Sequence, residues 1–426
     1  MFIIYDFVFL LFAFVCLPLY LLKKKFHKGF LARLGLLPDG SVFDRPIWIH
    51  AVSVGEVMSI KKMLEELRLA YPGKKFVIST VTPTGNKIAR GIAKAGDLVT
   101  YLPLDLSFIV RPVIDKINPC LFIIVETEIW PNLISCLYKK NIPVMIVNAR
   151  ISGRSFKGYM SVRYLLRPVL EKISRFCAQS ETDGQRLLCL GVNKDKLQIT
   201  GNLKFDSLTL AKAGVDYRAK LRLGSKEKLF IAASTHPGEE EIILAAFTRL
   251  KEGAPDLRLL IAPRHPERSP QICELVKKAG FWPLRISFLD REKSERYEDE
   301  AVFILDTIGE LIGFYAIAYI VFVGGSLVKK GGQNILEPAS LGKPVLFGPY
   351  MFNFRDIAGM FLKAEAALAV HNGEELKEKV EYLLGYPSKI DEMARRGREL
   401  IAENRGATKR NLESIKVILE GAGKNE

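Results

Sequence analysis

A chain of 426 residues with 49% hydrophobic and 26% charged side chains holds enough apolar material for two ordinary domains with full cores, which excludes a disordered, low-complexity or repeat architecture. Its net charge of +15 is uneven, with +13 on residues 1–206 and +2 on residues 207–426. The basic half calls for an anionic partner (nucleic acid, a membrane surface or a phosphorylated substrate), with plain solubility as the bland alternative.

Six scattered cysteines form no CxxC pair, so reduced, mostly buried thiols in a cytosolic protein are expected. Five histidines without metal-ligand spacing give no structural zinc.

The first element is an apolar run. Residues 7–22, FVFLLFAFVCLPLYLL, carry no charge, and Met1–Tyr5 extend the run to about 20 residues, the length of a spanning helix. No basic start precedes it and no small-residue cleavage site follows, so it does not read as a cleaved signal peptide. KKKFHKGF comes next, and lysines on the downstream side alone put the body of the chain in the cytoplasm. Residues 1–22 are expected to form a single N-terminal anchor. A monotopic hairpin or an interfacial helix also fits.

Strands and helices then alternate. IWIHAV, KFVIST, CLFIIVET, IPVMIVN and FCAQS are apolar strand candidates, with helical patterns such as EVMSIKKMLEELRLAY and TPTGNKIARGIAKA between them. That rhythm means βαβ units and a parallel sheet. It restarts at KLFIAAS, LRLLIAP, AVFILD, YIVFVGG and PVLFGP. The stretch between the two series is polar and has no strand pattern. The expected organisation is therefore α/β: an anchor over 1–22, a first domain over 23–208, a linker over 209–226, a second domain over 227–405, and a C-terminal helix over 406–426 that closes the second domain or crosses back to the first. Two doubly wound, Rossmann-like domains of this kind bind ligands at strand carboxyl ends, and two facing domains enclose a cleft.

Several of those strand ends carry polar groups. In IWIHAVSVGEV, Gly55 breaks the first strand and Glu56 follows at the start of a helix, either as a reactive carboxylate or as an acid complementing the helix dipole. IVETEIWPNLI puts Glu126 and Glu128 at the end of a buried strand, where acids serve catalysis or hold cations. Residues 148–175 interleave Arg150, Arg154, Lys157, Arg163, Arg167, Lys172 and Arg175 with Phe156, Tyr159 and Tyr164. Such a segment lies against anionic lipid headgroups or phosphates, or is a solvated basic face. The charge would also suit nucleic acid, but no RNP or helix-turn-helix signature accompanies it. Lys204, in GNLKFD, sits just before the linker.

In the second half, Ser234 and Thr235 end one strand before an acidic helix start, and an N-cap is the bland reading. Arg264 and His265 end another, where an arginine is placed to hold a phosphate. Gly309 separates a strand from a helix. Gly324-Gly325-Ser326 and Gly331-Gly332 precede Asn334 and Glu337, a pattern that lets backbone N–H groups approach a phosphate and a carboxylate meet ribose hydroxyls. Together these strand ends read as a nucleotide site.

The motifs SVGE, ETEIWPN, NARIS, AQSETD, GNLKFD, PRHPER, FVGGSLV and GGQNILEPA stand in order along nearly the whole chain. As an ordered set they resemble the 3-deoxy-D-manno-octulosonic acid (Kdo) transferases of lipopolysaccharide assembly. The resemblance implies a GT-B glycosyltransferase on the cytoplasmic face of the bacterial inner membrane. It would move Kdo from CMP-Kdo to a tetraacylated, bis-phosphorylated lipid A precursor with inversion. Neither a metal in the transfer step nor any other cofactor is implied, and no nucleic acid partner. It gives Glu56 the role of general base. Ser234, Thr235, Arg264, His265, Gly309, Glu310, Gly325, Ser326, Asn334 and Glu337 would line the donor side, with Lys204 near the Kdo or phosphate. Ser53, Gly55, Glu128, Arg154, Lys157 and Arg163 would serve the acceptor, and the basic half would face inner-membrane anionic lipids. Two positions depart from the family pattern: Tyr319, where an acid is common, and Gln333, where many members have histidine. Another GT-B enzyme, such as a transferase using a different donor or an epimerase, and a non-catalytic membrane-tethered lipid binder are the rival readings.

Overall fold

The computed structural model describes residues 5–11, 14, 29–38, 44–208, 214–291 and 300–422. The chain divides into two units, Met1–Ser207 with Asn404–Glu426, and Leu208–Glu403.

The first unit is built on a parallel sheet of seven strands: β1 (Ile47–His50), β2 (Phe76–Thr80), β3 (Leu98–Tyr101), β4 (Leu121–Val125), β5 (Val144–Ala149), β6 (Arg175–Ala178) and β7 (Leu197–Ile199). Their order across the sheet is β3-β2-β1-β4-β5-β6-β7, so the direction of winding reverses between β1 and β4. Every residue of β1, β2, β4 and β5 is buried, because helices cover both faces. Trp48 packs edge-on against Phe122 at 4.8 Å inside this core. β3 and β7, at the two edges, are partly exposed and were not expected from the sequence. The expected helix after β1 is two helices, Val54–Ser59 and Lys61–Ala70.

The final helix, Ala407–Ala422, belongs to this unit. Ala407 and Ile415 are fully buried in the same core as Ile47, Val57 and Met63. The Asp206 carboxylate accepts from the N–H groups of Gly406 (2.9 Å) and Thr408 (2.6 Å) at its start.

The expected anchor over 1–22 falls largely outside the described residues. Residues 5–11 and 14 are helical, and among the described residues no helix is long and apolar enough to cross a membrane. A spanning anchor therefore finds no support there. Instead, the Asp6 carboxylate accepts from Ser107 N (3.1 Å) and Asn132 Nδ2 (2.6 Å), which moors this helix on the unit. Phe7, Leu10, Leu11 and Phe14 remain exposed.

The second unit repeats the plan with β8 (Lys228–Thr235), β9 (Leu257–Pro263), β10 (Trp282–Arg285), β11 (Ala301–Ile304), β12 (Ile320–Val323), β13 (Val345–Phe347) and β14 (Ala367–Ala369), all parallel. The order is β10-β11-β9-β8-β12-β13-β14, with the reversal between β8 and β12. In the region expected as a linker, residues 209–213 lie outside the described residues and the part that follows folds onto this unit. Tyr217 stacks edge-on against Phe314 at 4.8 Å, and Lys220 pairs with Glu310 at 2.5 Å. Cys120, Cys136 and Cys177 are buried free thiols, whereas Cys189 is exposed.

Candidate active site

In the first unit, the loops that end β1 and β4 meet at the reversal point. Glu56 stands in the first turn of Val54–Ser59 and folds its carboxylate back on the chain. Oε2 accepts from Val52 N at 2.7 Å and Oε1 from the Ser53 hydroxyl at 3.1 Å. This is a variant of the capping box, in which an acid three residues into a helix bonds back to its entry. Gly55 lies inside the helix Val54–Ser59 and adopts no left-handed conformation. It leaves open space beside the acid: a Cβ built on it meets only Ser53 Oγ, at 3.9 Å.

Glu126 and Glu128 approach from the other loop. Glu126 has φ of +63°, which a non-glycine residue adopts only where its surroundings enforce it. Its N–H stays bonded to Val147 O, and the neighbouring Thr127 hydroxyl bridges to the Arg150 carbonyl at 2.7 Å. Glu128 accepts from Trp130 Nε1 at 3.0 Å and lies 3.4 Å from His50 Nε2.

A helix N-terminus favours an ionised carboxylate, and at Glu56 other forces win. Burial and the Glu126 charge, with a smaller push from Glu128, outweigh the two hydrogen bonds and raise its pKa to about 8. Thr82 and Gly85 buttress this loop and carried no signal in the sequence. The Thr82 hydroxyl donates to Val52 O at 3.2 Å, and a Cβ on Gly85 would come within 3.2 Å of the same oxygen.

Of the expected acceptor residues, Ser53, Gly55 and Glu128 gather around Glu56. Arg154, Lys157 and Arg163 stand apart on the helices Gly153–Ser161 and Arg163–Leu170. Arg154 and Lys157 are exposed, and no carboxylate pairs with either among the described residues. Arg163 lies over the Tyr164 ring at 5.7 Å. Lys204 is half-buried in a short turn, Leu203–Phe205, held by Asn148, whose Oδ1 accepts from Leu203 N at 3.0 Å.

In the second unit, the amides of Gly325, Ser326 and Leu327 in the glycine-rich loop have an internal partner. The carboxylate of Glu239, fully buried, already occupies them: Oε2 accepts from Gly325 N (2.6 Å) and His236 N (2.9 Å), and Oε1 from Ser326 N (3.0 Å) and Leu327 N (2.9 Å). Gly325 and Ser326 are thus framework. Ser326 Oγ, buried, donates to Val323 O and accepts from Gly348 N. The loop also packs too tightly for larger residues, since a Cβ on Gly348 would lie 2.2 Å from Ser326 O. Thr235 is likewise committed, its hydroxyl donating to Glu240 at 2.8 Å, and Arg268 closes that pair at 2.8 Å. Neither Ser234 nor Thr235 is an N-cap; the helix Glu239–Gly253 is entered through Gly238. Ser234 has φ of +55°.

Around this framework the side chains are basic. Arg264 and His265 are exposed where β9 ends. His236, absent from the expected set, faces His265 ring-to-ring at 6.1 Å and lies 3.4 Å from Gln333 Nε2. Burial first, then the charges of His265, Lys330, Arg264 and Arg268, lower its pKa to about 4, so the ring is neutral near pH 7. Asn334 holds Glu337 at 3.0 Å, with Arg264 contributing electrostatically, and burial pushes that carboxyl up. Gly309 is exposed with φ of +88°. Glu310 is engaged by Lys220 and Thr307. No group of three or more candidate metal ligands occurs among the described residues.

The first unit thus gathers the carboxylates of Glu56, Glu126 and Glu128, and the second gathers basic side chains beyond the ends of β8 and β9. Residues 28–207 match the family described as 3-deoxy-D-manno-octulosonic-acid transferase (kdotransferase). The 3-deoxy-D-manno-octulosonic acid transferase of Haemophilus influenzae is 40% identical over 379 residues, covering 88% of this chain and 87% of that one. The chain belongs to the Kdo transferase family. The transferase of the same name from Chlamydophila psittaci is 31% identical over 427 residues, covering 97% of this chain and 95% of its own. Among solved structures, UDP-GlcNAc 2-epimerase from Neisseria meningitidis bound to UDP-GlcNAc superposes with a TM-score of 0.60 at 15% identity, covering 87% of this chain and 99% of that one. A glycosyltransferase from Rickettsia africae gives 0.57 at 16%, covering 88% and 99%. At those identities the likeness is one of fold. As a Kdo transferase the chain is a glycosyltransferase, which sets aside the epimerase and the non-catalytic lipid binder.

Proposed function

We propose that this Kdo transferase uses CMP-Kdo as donor and a tetraacylated, bis-phosphorylated lipid A precursor as acceptor, and inverts the anomeric carbon with Glu56 as general base. The observation that carries the reading is Glu56 itself, at a strand-order reversal between two other carboxylates, with a pKa of about 8. A sugar hydroxyl is a weak acid, and a base titrating near the working pH is the best match for removing its proton during attack. The acceptor oxygen forms a bond to the anomeric carbon as the bond to the CMP phosphate breaks. CMP leaves with that electron pair, and the hydroxyl proton passes to Glu56.

In the second unit, Arg264 and Lys330 supply positive charge for the donor's anionic groups, and His265 stands beside them as a hydrogen-bonding ring. Glu337, oriented by Asn334, suits ribose hydroxyls. Lys204 serves the Kdo or phosphate end. Arg154, Lys157 and Arg163 face the phosphorylated acceptor and the anionic lipids around it. The enzyme works at the cytoplasmic face of the bacterial inner membrane. The exposed Phe7, Leu10, Leu11 and Phe14 support a helix lying in the interface.

The test is transfer by the purified full-length protein, with CMP-Kdo generated in place and products read by mass spectrometry and anomeric NMR. Glu56→Gln is expected to lower turnover by about 10²–10⁴-fold. Transfer that survives the substitution removes Glu56 as base, a retained anomeric configuration overturns inversion, and failure to use CMP-Kdo overturns the donor.

A further inference from the structure

We infer that His50 is a positioning residue of the transfer reaction: Trp48 and Ser79 fix its ring with the proton on Nε2, from where it donates to Glu128 and holds that carboxylate beside Glu56. The inference rests on the reading of Glu56 as base.

The argument is a count of protons. His50 is fully buried at the end of β1, between β2 and β4. Trp48 Nε1 is only a donor, and it gives its hydrogen to Ser79 Oγ at 2.8 Å. The Ser79 hydroxyl must send its own hydrogen elsewhere, and His50 Nδ1 lies 3.0 Å away. The Ser79 carbonyl, 3.1 Å from the same nitrogen, accepts from Ala51 N at 2.9 Å and has a second lone pair, but among the described residues no acceptor other than Nδ1 faces the Ser79 hydroxyl. So Nδ1 accepts, and in the neutral ring Nε2 carries the hydrogen. Nε2 faces Glu128 Oε2 at 3.4 Å, long for a hydrogen bond, as catalytic contacts often are before substrate is bound. The other tautomer would strand the Ser79 hydrogen and turn a lone pair toward a carboxylate.

Apolar residues at all three positions would fill this part of the sheet without any polar cost, so the buried relay Trp48–Ser79–His50 calls for an explanation beyond packing. Its outlet is Glu128, whose side chain is 31% exposed and free to swing outward without a second donor besides Trp130. The titratable groups around the pair are Glu126 and Glu128 facing Glu56, and Glu56 and Tyr159 facing Glu128. Glu128 adds to the field that makes Glu56 a strong base. Releasing it weakens the base.

The experiment compares His50→Leu, which removes the donor, with His50→Gln, which places an N–H near the former Nε2. Ser79→Ala, which frees the ring to change tautomer, is the milder variant should His50→Leu fail to fold. The first readout needs no turnover: in full-length protein labelled with ¹⁵N-histidine, a two-bond ¹⁵N–¹H correlation at about pH 8 should show His50 protonated on Nε2, and Ser79→Ala should shift that pattern. A wild-type ring protonated on Nδ1 overturns the proposal. The second readout is the pH profile of kcat. His50→Leu should lower kcat about threefold, leave KM for the donor unchanged, and move the acid limb down by about half a pH unit, while His50→Gln recovers most of the loss. Folded Leu and Ala variants with the wild-type kcat and limb overturn it, as does a Gln variant as impaired as Leu. Glu56→Gln, run alongside, keeps the readings apart: if it retains full activity the base assignment fails, while the tautomer pattern still decides the arrangement of His50.

Discussion

Glu239→Gln keeps the volume of a fully buried side chain and removes its charge. At present each carboxylate oxygen accepts from two backbone amides, four in all, at 2.6–3.0 Å. In the variant one oxygen becomes an amino group, a donor aimed at two donors. Two buried N–H groups lose their acceptor, each worth about 1.5–3 kcal/mol for a bond to a charged group. Local relaxation recovers part of this, so the second unit should lose about 3 kcal/mol of stability. Hydrogen exchange read by mass spectrometry isolates that unit through peptides covering β8 and β12. Their slowest amides should exchange about a hundredfold faster, while peptides covering β1 and β4 stay unchanged. KM for CMP-Kdo should rise with the loosened loop, and KM for the lipid should not. Acceleration of less than about fivefold, roughly 1 kcal/mol, would refute the claim that this carboxylate is the internal anion holding the loop.

Two further outcomes follow from the first unit. As the proposed base, Glu56 must be ionised to accept a proton, so transfer should fall as pH drops through about 8 and level off above it. Removing one neighbouring charge in Glu126→Gln should move that limb down by about one pH unit and lower the plateau, which a pH–rate profile under saturating substrate measures. Replacing Arg154, Lys157 and Arg163 together by glutamine should weaken binding to vesicles carrying the lipid acceptor by at least about tenfold, given roughly 1 kcal/mol for each basic residue near an anionic surface, and leave CMP affinity intact. Equal losses in lipid binding and CMP affinity would refute the assignment of these residues to the acceptor.

The central strands were legible in the sequence because burial on both faces makes them continuous apolar runs. The four strands that were not, Leu98–Tyr101, Leu197–Ile199, Trp282–Arg285 and Ala367–Ala369, are the sheet edges. An edge strand is short and half-solvated, so nothing in its composition separates it from a loop. The site followed the same division. Glu56 could be singled out because it interrupts a strand-to-helix junction within a recognisable motif. Glu239 looked like an ordinary acid at a helix start, since three of its four partners lie 86 to 88 positions further along the chain. The glycines were read as cradling a ligand phosphate, whereas the amides of Gly325, Ser326 and Leu327 hold the Glu239 carboxylate. His50 was hidden for the opposite reason: within IWIH it is one polar residue in an apolar run, and its role depends on Ser79 and Glu128 arriving from β2 and from the loop after β4.

The return of Ala407–Ala422 to the first unit has a consequence for biosynthesis. That unit's core includes Ala407 and Ile415, and Asp206 caps amides that follow it by 200 and 202 positions. A ribosome must therefore make all of Leu208–Glu403 before the helix that closes the first sheet exists. During that interval a groove lined by Ile47, Val57 and Met63 stands open on the nascent chain. The second unit has no such dependence. The last-made unit is thus the first able to finish folding, the reverse of the usual N-to-C order, and the nascent first unit is the one that a chaperone would have to shield.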